Sequence, residues 1–470
     1  MRKFILSLMT LASLSMSVLA QPLTQIAAGQ NHSLFIKSDG SLWAMGYNNY
    51  GQLGDGTYGA SLFFATNQPE QVVSSNVTAI TGRNHTLFLK KDGSLWGMGR
   101  NDTGQLGDGN YNDAGPHFGT NQPVLIVASN VTAIAAGGGD SLSSRQFGNS
   151  FLVIPYGHSL FLKNDGSLWA MGYNLFGQLG DGTGNDTNRP EQIVSSNVTA
   201  IAAGDFHSLF LKNDGSLWAM GNNQFGQLGD GTTNTYSALP EQIMASNVTV
   251  ISAALGFSLF LKSDGSLWGM GFNTSGQLGI GTYNQTNNQP VQIVASNVTA
   301  VAAGYSHTLF LKSDGSLWAM GLNSKGQLGD GTINNTNRPE MIVPSNVAAI
   351  AAGGNHSLFL KSDGTLWAMG SDQYGQLGDG TYTPVNPNPN PKQILGAYNK
   401  ISGHLLSGDN MQLSFVGIAG ANYALDRSAN LSVPNWIPQV TNPANSFGAM
   451  VFTNTPNPAT NNFWRVRSTP

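Results

Sequence analysis

The chain has 470 residues and a formal net charge of −4, with 21 basic against 25 acidic side chains. Charged residues are 10% of the chain against a usual ~25%, while the 59 Gly are close to twice the usual ~7% share. This balance excludes a charged coiled coil and a charge-rich disordered chain. It also leaves no basic stripe to release counterions from a phosphate backbone, so no nucleic-acid partner is expected.

Met1-Arg2-Lys3 precedes a mostly apolar run from Phe4 to Leu14 and then Val18-Leu19-Ala20, a small-residue cleavage pattern. The order reads as a bacterial-style signal peptide over 1–20, with Gln21 as the mature start, and predicts a secreted, cell-surface or periplasmic protein. The apolar run is short for a bilayer span, and no later segment reaches ~18 consecutive apolar residues, so no transmembrane segment is expected. The sequence has no Cys. A chain of this length builds its core without disulfides, even where the compartment permits them.

A repeat of about fifty residues dominates the chain beyond this leader. Trp43, Trp96, Trp169, Trp218, Trp268, Trp318 and Trp367 stand in near-identical surroundings at steps of 53, 73, 49, 50, 50 and 49. The third unit begins Ile134-Ala135-Ala136-Gly137 and resumes at His158-Ser159-Leu160-Phe161-Leu162-Lys163. It continues through Asp165-Gly166 to Trp169-Ala170-Met171-Gly172, then Gly177-Gln178-Leu179-Gly180-Asp181-Gly182 and Pro190-Glu191-Gln192-Ile193. The short apolar runs, bounded by Gly, Asp, Asn or Pro, are predicted strands. Asp39-Gly40 and its six copies read as two-residue hairpin turns, because Gly accepts the positive φ required. Such a turn sets Ile36 opposite Trp43 and Leu34 opposite Met45 on one face, and Phe35 opposite Ala44 and Ser33 opposite Gly46 on the other. Both faces are then largely apolar, as in sheets stacked radially. Seven units of four short strands predict an all-β, seven-bladed β-propeller.

The unit Trp-Ala-Met-Gly-x-Asn-x-x-Gly-Gln-Leu-Gly-Asp-Gly, clearest at 169–182 and 318–331, resembles the repeat of the regulator of chromosome condensation family. The resemblance covers Thr24 to about Gly403. No Trp-Asp dipeptide follows the sheet strands and no Gly-Gly pair recurs at one place in each unit, so other propeller families fit less well. The resemblance implies a seven-bladed propeller that is a rigid protein-binding platform. Its eukaryotic founder is an exchange factor for a nuclear small GTPase, and a secreted bacterial relative of the same fold inhibits β-lactamases. By family analogy alone, guanine-nucleotide exchange is an alternative; the signal peptide and the missing basic tail depart from the nuclear protein.

Six histidines, His32, His85, His158, His207, His307 and His356, occupy one position of the repeat, where the fifth unit has Phe257. A position that accepts Phe is read as packing with an optional hydrogen bond rather than as a metal or catalytic site. Asp55, Asp108, Asp181, Asp230, Asp330 and Asp379 follow Leu-Gly, and the fifth unit has Ile280 there. No bidentate Glu follows at the spacing of a calcium loop, so turn chemistry is the favoured reading over calcium. No Gly-x-Gly pattern opens a helix and no Gly-x-Ser-x-Gly elbow is present, so no cofactor and no catalytic residue is assigned and an enzyme is not expected.

Periodicity stops near Gly403, where Ile401-Ser402-Gly403 looks like an eighth copy of a first strand that could close the ring. The chain divides into 1–20, a propeller over 21–403 and a small C-terminal β domain over 404–470. Strands are predicted at Met411–Phe415, Tyr423–Leu425, Ala449–Phe452 and Phe463–Val466. The tail resembles a small β-sandwich at the C-termini of secreted proteins of some environmental bacteria, through Phe415, Gly417, Gly420, Tyr423, Leu425, Ser428, Asn430, Leu431, Trp436, Phe463, Arg465 and Val466. Polysaccharide or cell-wall attachment through Tyr423 and Trp436 stands against the favoured reading that both rings are core.

Loop lengths then point to a face. With strands A to D as Ala200–Ala202, Ser208–Lys212, Leu217–Met220 and Glu241–Ile243, the A–B and C–D loops of a meander emerge together. From the Gly of Gly-Gln-Leu to the Pro, the C–D span is 18, 19, 13, 14, 14, 13 and 16 residues in units one to seven. The A–B step of unit three, Gly137 to His158, is 21 against 3 in unit four. All four enlargements lie on one face, in units that are consecutive once the ring closes. This predicts a contact patch for an unidentified protein partner, containing Tyr58, Phe63, Phe64, Tyr111, His117, Phe118, Arg145 and Phe147. The resulting reading is a secreted, non-enzymatic binding module, such as an enzyme inhibitor; the alternative is a structural or adhesive surface protein with the tail as anchor.

Overall fold

A computed structural model describes residues 22–59, 65–112, 117–147, 150–284, 286–395, 402–405, 411–416, 422–428, 437–443, 449–454 and 463–469. The proposed signal peptide, Phe63, Phe64, Ile401 and Trp436 lie outside them. All described regular structure is strand, and no described helix is long and apolar enough to cross a membrane. Seven four-stranded sheets each use four consecutive strands, giving a seven-bladed propeller. Blade four shows the pattern: A Val198–Ala203, B His207–Lys212, C Leu217–Asn222 and D Tyr236–Met244.

Each B–C hairpin follows from its sequence, with one correction. His32 pairs with Gly46, Ser33 with Met45, Leu34 with Ala44, Phe35 with Trp43 and Ile36 with Leu42. The expected register was one residue off. Lys37 pairs with Ser41 across three residues, because Gly40 N–H donates to Lys37 O and Asp39 Oδ1 accepts from Ser41 N–H. Gly40 holds the left-handed position, at φ 76°, of a three-residue turn. Phe35 and Trp43 thereby lie side by side, 6.1 Å between ring centres.

The core sits between blades. Leu34, Ile36, Leu42 and Leu53 of blade one meet Ile80, Phe88 and Met98 of blade two. The same set recurs where Leu209, Leu217 and Leu228 meet Phe260 and Met270. Met98 of blade two fills the space against Gly54 of blade one, where an added Cβ would stand 2.3 Å from its sulfur, and such contacts give the close packing that two apolar faces per strand require. Among the described residues blade seven meets blade one without exchanging a strand: Gly354 N–H donates to Gln30 O at 3.0 Å and Gly380 N–H to Asn67 O at 2.8 Å.

Thr24–Ser362 with Trp367–Lys392 form one compact unit, and the strands after Ser402 belong to another. Ser402–Leu405 pairs with Met411–Val416, Ser402 facing Ser414, in a sheet that also holds Ala449–Asn454. Asn422–Ser428 lies between Ile437–Pro443 and Phe463–Thr469 in a second three-stranded sheet. The strand at Ile437–Pro443 was not expected from sequence, since Pro438 and Pro443 interrupt its apolar pattern.

Candidate partner-binding face

The long A–B insertion of blade three is an extension of the sheet. Strands Val131–Phe147 and Ser150–Lys163 run antiparallel from Ala133–Leu162 out to Phe147–Ser150, with an irregularity between Phe151 and Val153. Arg145 and Phe147 lie on its outer part. Its root is fixed at several points. Gly138 N–H donates to Gly204 O at 3.0 Å, and Tyr156, 2% exposed, packs its ring 4.0 Å from that of Phe206 in blade four. A Cβ on Gly139 would stand 2.1 Å from Tyr305 Oη of blade six and 3.1 Å from Asp205 Oδ2. The hairpin root therefore lies against the neighbouring blade four and against Tyr305 from across the ring.

The enlarged C–D loops of blades one and two are locked together. Tyr58 stacks on His117, 4.2 Å between centres and 5° between planes, and its hydroxyl donates to Gly119 O at 2.9 Å. His117 Nδ1–H donates to Asn49 O at 3.1 Å, which fixes the tautomer. Phe118, next in the chain, is 40% exposed at φ 51°. Its carbonyl accepts from Asn101 N–H at 2.8 Å, and its neighbour Gly119 leaves no room for a side chain, with Gly99 O 2.3 Å from an added Cβ. Tyr111 is 43% exposed and reaches blade three, its hydroxyl 3.4 Å from Asp186 O. Tyr58, Tyr111, His117 and Phe118 thus share the two adjoining loops, and the hairpin carrying Arg145 and Phe147 rises from the next blade.

The sequence reading missed residues on the same face. Arg83 at the A–B turn of blade two crosses the axial channel: its Nη2 donates to Ala253 O of blade five at 3.3 Å and lies 3.9 Å from Asp205 Oδ1 of blade four. Its guanidinium stands 5.9 Å from the Tyr305 ring. Below it is a cavity of about 220 Å³ lined by first-strand residues such as Ala28, Thr81, Ala135, Ala202 and Ser252. At the seam between blades seven and one, Tyr374 packs on Tyr47 at 4.7 Å and Tyr47 on Tyr50 at 5.8 Å; Arg100 lies 4.6 Å over Tyr50 and is paired with Asp102 at 2.9 Å. These residues occupy repeat positions whose identity changes from blade to blade. The opposite, hairpin face is uniform: each Lys lies 3.6–4.3 Å over the Trp of its own blade in all seven.

Residues 152–415, more than half of the chain, match the family profile described as RCC1-like domain. The chain belongs to the RCC1-like domain family. Two further matches, described as regulator of chromosome condensation (RCC1) repeat, cover 23–52 with 77–105 and 39–89 with 92–142. Over 153 residues the chain is 33% identical to Protein RCC2 homolog of Xenopus laevis, covering 32% of this chain and 25% of that protein. Over 172 residues it is 28% identical to the ultraviolet-B receptor UVR8 of Arabidopsis thaliana, covering 36% and 33%. The chain thus spans a quarter to a third of the length of these relatives. Among solved structures it is similar in fold to human WBSCR16 at TM-score 0.62 and 23% identity, covering 73% and 88%. It is similar to yeast RCC1 (Prp20), solved with Kap60, at 0.64 and 20%, covering 82% and 86%.

In this RCC1-like propeller the repeat histidines are wholly buried. His207 Nε2–H donates to Ser258 Oγ of the next blade at 2.8 Å, and that hydroxyl donates to Gln227 O at 2.7 Å. Burial pushes the imidazoles down to about 3, and to about 4 at His356. Phe257 takes the same buried place in blade five, and Thr308 still donates to Gln277 O at 2.8 Å. The position accommodates packing with or without the bond. The Leu-Gly-Asp carboxylates cap turns: Asp181 Oδ1 accepts from Thr183 N–H at 2.9 Å and from Asn174 Nδ2–H at 2.9 Å. Among the described residues no three His, Asp or Glu side chains converge as a metal-ligand set.

Proposed function

We propose that this RCC1-like chain is a secreted, non-enzymatic binding module, with the propeller as a rigid platform for a protein partner and 404–470 as a small sandwich-like tail. The contact face is the A–B and C–D side over blades seven, one, two and three. Phe118 carries the reading. It is the one residue other than Gly and Asn at positive φ among the described residues, a conformation that costs on the order of 1–3 kcal/mol and persists where its surroundings impose it. Here they impose it on a ring that is left 40% exposed, so part of its apolar surface stays open to a partner. The variable aromatic residues on this face, against the uniform hairpin face, support the same side. Prp20p of Saccharomyces cerevisiae, similar in fold at TM-score 0.60, was described with binding properties to Gsp1p and histones. Binding of a protein is the property carried over; for this chain the partner proposed is a secreted or envelope enzyme.

The test compares the whole chain with a variant in which 142–153 are replaced by a short turn and Phe118 by Ala. This trim keeps Tyr156, whose burial makes a wider deletion destabilising. A soluble enzyme captured from the native secretome and inhibited by the parent should be lost by the variant, with thermal unfolding unchanged. Equal capture by both would overturn the choice of face. Retention of both on wall polysaccharide, with no soluble partner, favours the adhesive alternative.

A further inference from the structure

Blade seven departs from its sister blades at one hydrogen-bonding position. Every sister blade opens the C–D loop on an Asn. In blade five it is Asn273, where Ile280 replaces the loop carboxylate and Nδ2–H donates to Thr282 O at 3.0 Å. In the other five it is Asn48, Asn101, Asn174, Asn223 and Asn323, and the carboxylate is present. There each Nδ2–H donates to the loop carboxylate, Asp55, Asp108, Asp181, Asp230 or Asp330, at 2.9–3.1 Å. Each Oδ1 accepts from the backbone N–H of the following Leu at 2.9–3.0 Å. In blade seven this residue is Asp372, fully buried. Its Oδ1 accepts from Leu377 N–H at 3.0 Å, as the Asn oxygens do. Its Oδ2 takes the place of the amide nitrogen; Thr381 Oγ1–H reaches it only at 3.4 Å, because the same proton is given to Asp379 Oδ1 at 2.6 Å. In the blades with the carboxylate, as in blade three, that place serves a carboxylate and a backbone carbonyl. Both are acceptors, so an ionised Asp372 presents an acceptor where the loop requires a donor, whereas a protonated one presents O–H.

Among the described residues the one cation near it, Lys392, is shared with a second carboxylate. Asp379 is ion-paired with Lys392 and accepts from Thr381 N–H at 2.8 Å and Oγ1–H at 2.6 Å. The Lys392 charge also acts on Asp372 and pulls against burial, and Tyr382, beside both Asp372 and Glu70, supplies no positive charge. The loop also makes the seam between last and first blades: Tyr374 packs on Tyr47, and Gly380 N–H donates to Asn67 O.

We propose that Asp372 is a proton-operated latch on this seam: protonated, it closes the loop over 372–382 as Asn does elsewhere, and ionised, it releases it. Burial, then the Asp379 charge, pushes its carboxyl up to about 7, so the latch works near neutral pH. That it also gates the partner face rests on the function proposed above; the latch itself does not.

Hydrogen exchange of the full chain, corrected for intrinsic rates, tests it at pH 5.5 and 8.5 for the parent and Asp372→Asn. The parent's 372–382 segment should lose roughly fivefold or more of its protection at the higher pH, as local opening becomes easier. Asp372→Asn should stay protected at both, and so should the Asn323 loop of blade six in both proteins. Protection of the parent loop independent of pH, or an equal loss in Asp372→Asn, would overturn the latch. So would a carbon-13 titration placing the Asp372 carboxyl in the ordinary carboxylate range.

Discussion

His32 Nε2–H of blade one donates to Thr86 Oγ1 of blade two at 2.9 Å, and Thr86 Oγ1–H donates to Gln52 O at 2.8 Å. The three-member chain recurs through His85–Ser159 and His158–Ser208 and closes the ring at His356–Ser33, 3.0 Å, with Ser33 donating to Gln376 O at 2.7 Å. Because the hydroxyl gives its proton to a carbonyl, the imidazole must be the donor at Nε2 and neutral. Its Nδ1 is buried without a partner among the described residues, so a second ring proton finds no acceptor.

Acid should therefore unfold the propeller steeply. The folded imidazoles stand at about 3 to 4 against an ordinary 6.5. Below the unfolded value the unfolded chain takes up protons that the native one refuses, so stability is complete above about 6.5 and falls as pH drops toward 3–4. Each histidine contributes roughly 1 kcal/mol per pH unit in that window. Urea midpoints between pH 7.5 and 4.5 measure the slope. A midpoint flat over that range would contradict neutral, unprotonatable imidazoles.

His207→Phe should imitate blade five. At pH 7.5 it loses one neutral hydrogen bond, worth about 1 kcal/mol, while Ser258 keeps its bond to Gln227 O. At pH 4.5 the deficit should shrink or reverse, since one proton-binding group of the unfolded chain is gone. Zinc should shift neither protein. A zinc-dependent rise in the parent alone would turn the packing reading into a metal site.

The blade count was legible because the scaffold residues repeat: each Trp, His and Gly-Gln-Leu-Gly marks one unit. The hairpin register was not, since Asp39-Gly40 fits a two-residue turn as well as the three-residue turn that the Asp39–Ser41 bond selects. Gly137-Gly138-Gly139 reads as loop, and only pairing with Tyr156–His158 makes it strand. On the candidate face, loop lengths pointed to Tyr58 and His117, because both sit in the enlarged segments. Arg83, Asp205 and Tyr305 come from three different blades and meet only in space. Their signal was available only as one repeat position, second in the A–B turn, that changes chemistry from blade to blade.

The hairpin root should respond unequally to two adjacent substitutions. A Cβ on Gly138, which has φ 100°, would stand 2.3 Å from the backbone Tyr156 O; one on Gly139 meets the tip of Tyr305 at 2.1 Å. A ring can swing aside and a paired strand cannot. Gly138→Ala should cost about 2–3 kcal/mol and Gly139→Ala about 1 kcal/mol, the range of overpacked sites. Urea unfolding measures both. The reverse order would mean that the root is not held as a paired strand.

Phe118 should show stability and binding moving apart. Its φ of 51° is strained for a bulky side chain and ordinary for Gly. The ring is 40% exposed, so removing it forfeits about 1–2 kcal/mol of burial, while the Asn101–Phe118 and Tyr58–Gly119 bonds use backbone carbonyls that survive the change. Phe118→Gly relieves the strain but adds freedom to the unfolded chain, which offsets about 1 kcal/mol of the gain. Relieved strain of about 1–3 kcal/mol against the lost burial and the added freedom leaves an expected stability within about 1 kcal/mol of the parent. If the ring anchors a partner, the same variant should weaken capture of that partner about tenfold or more, the loss typical of a central aromatic anchor. Differential scanning calorimetry and binding on one preparation read both quantities. A fall well beyond about 1 kcal/mol would show the ring to serve packing rather than a partner. Unchanged capture would remove Phe118 from the interface and leave its strain without a function.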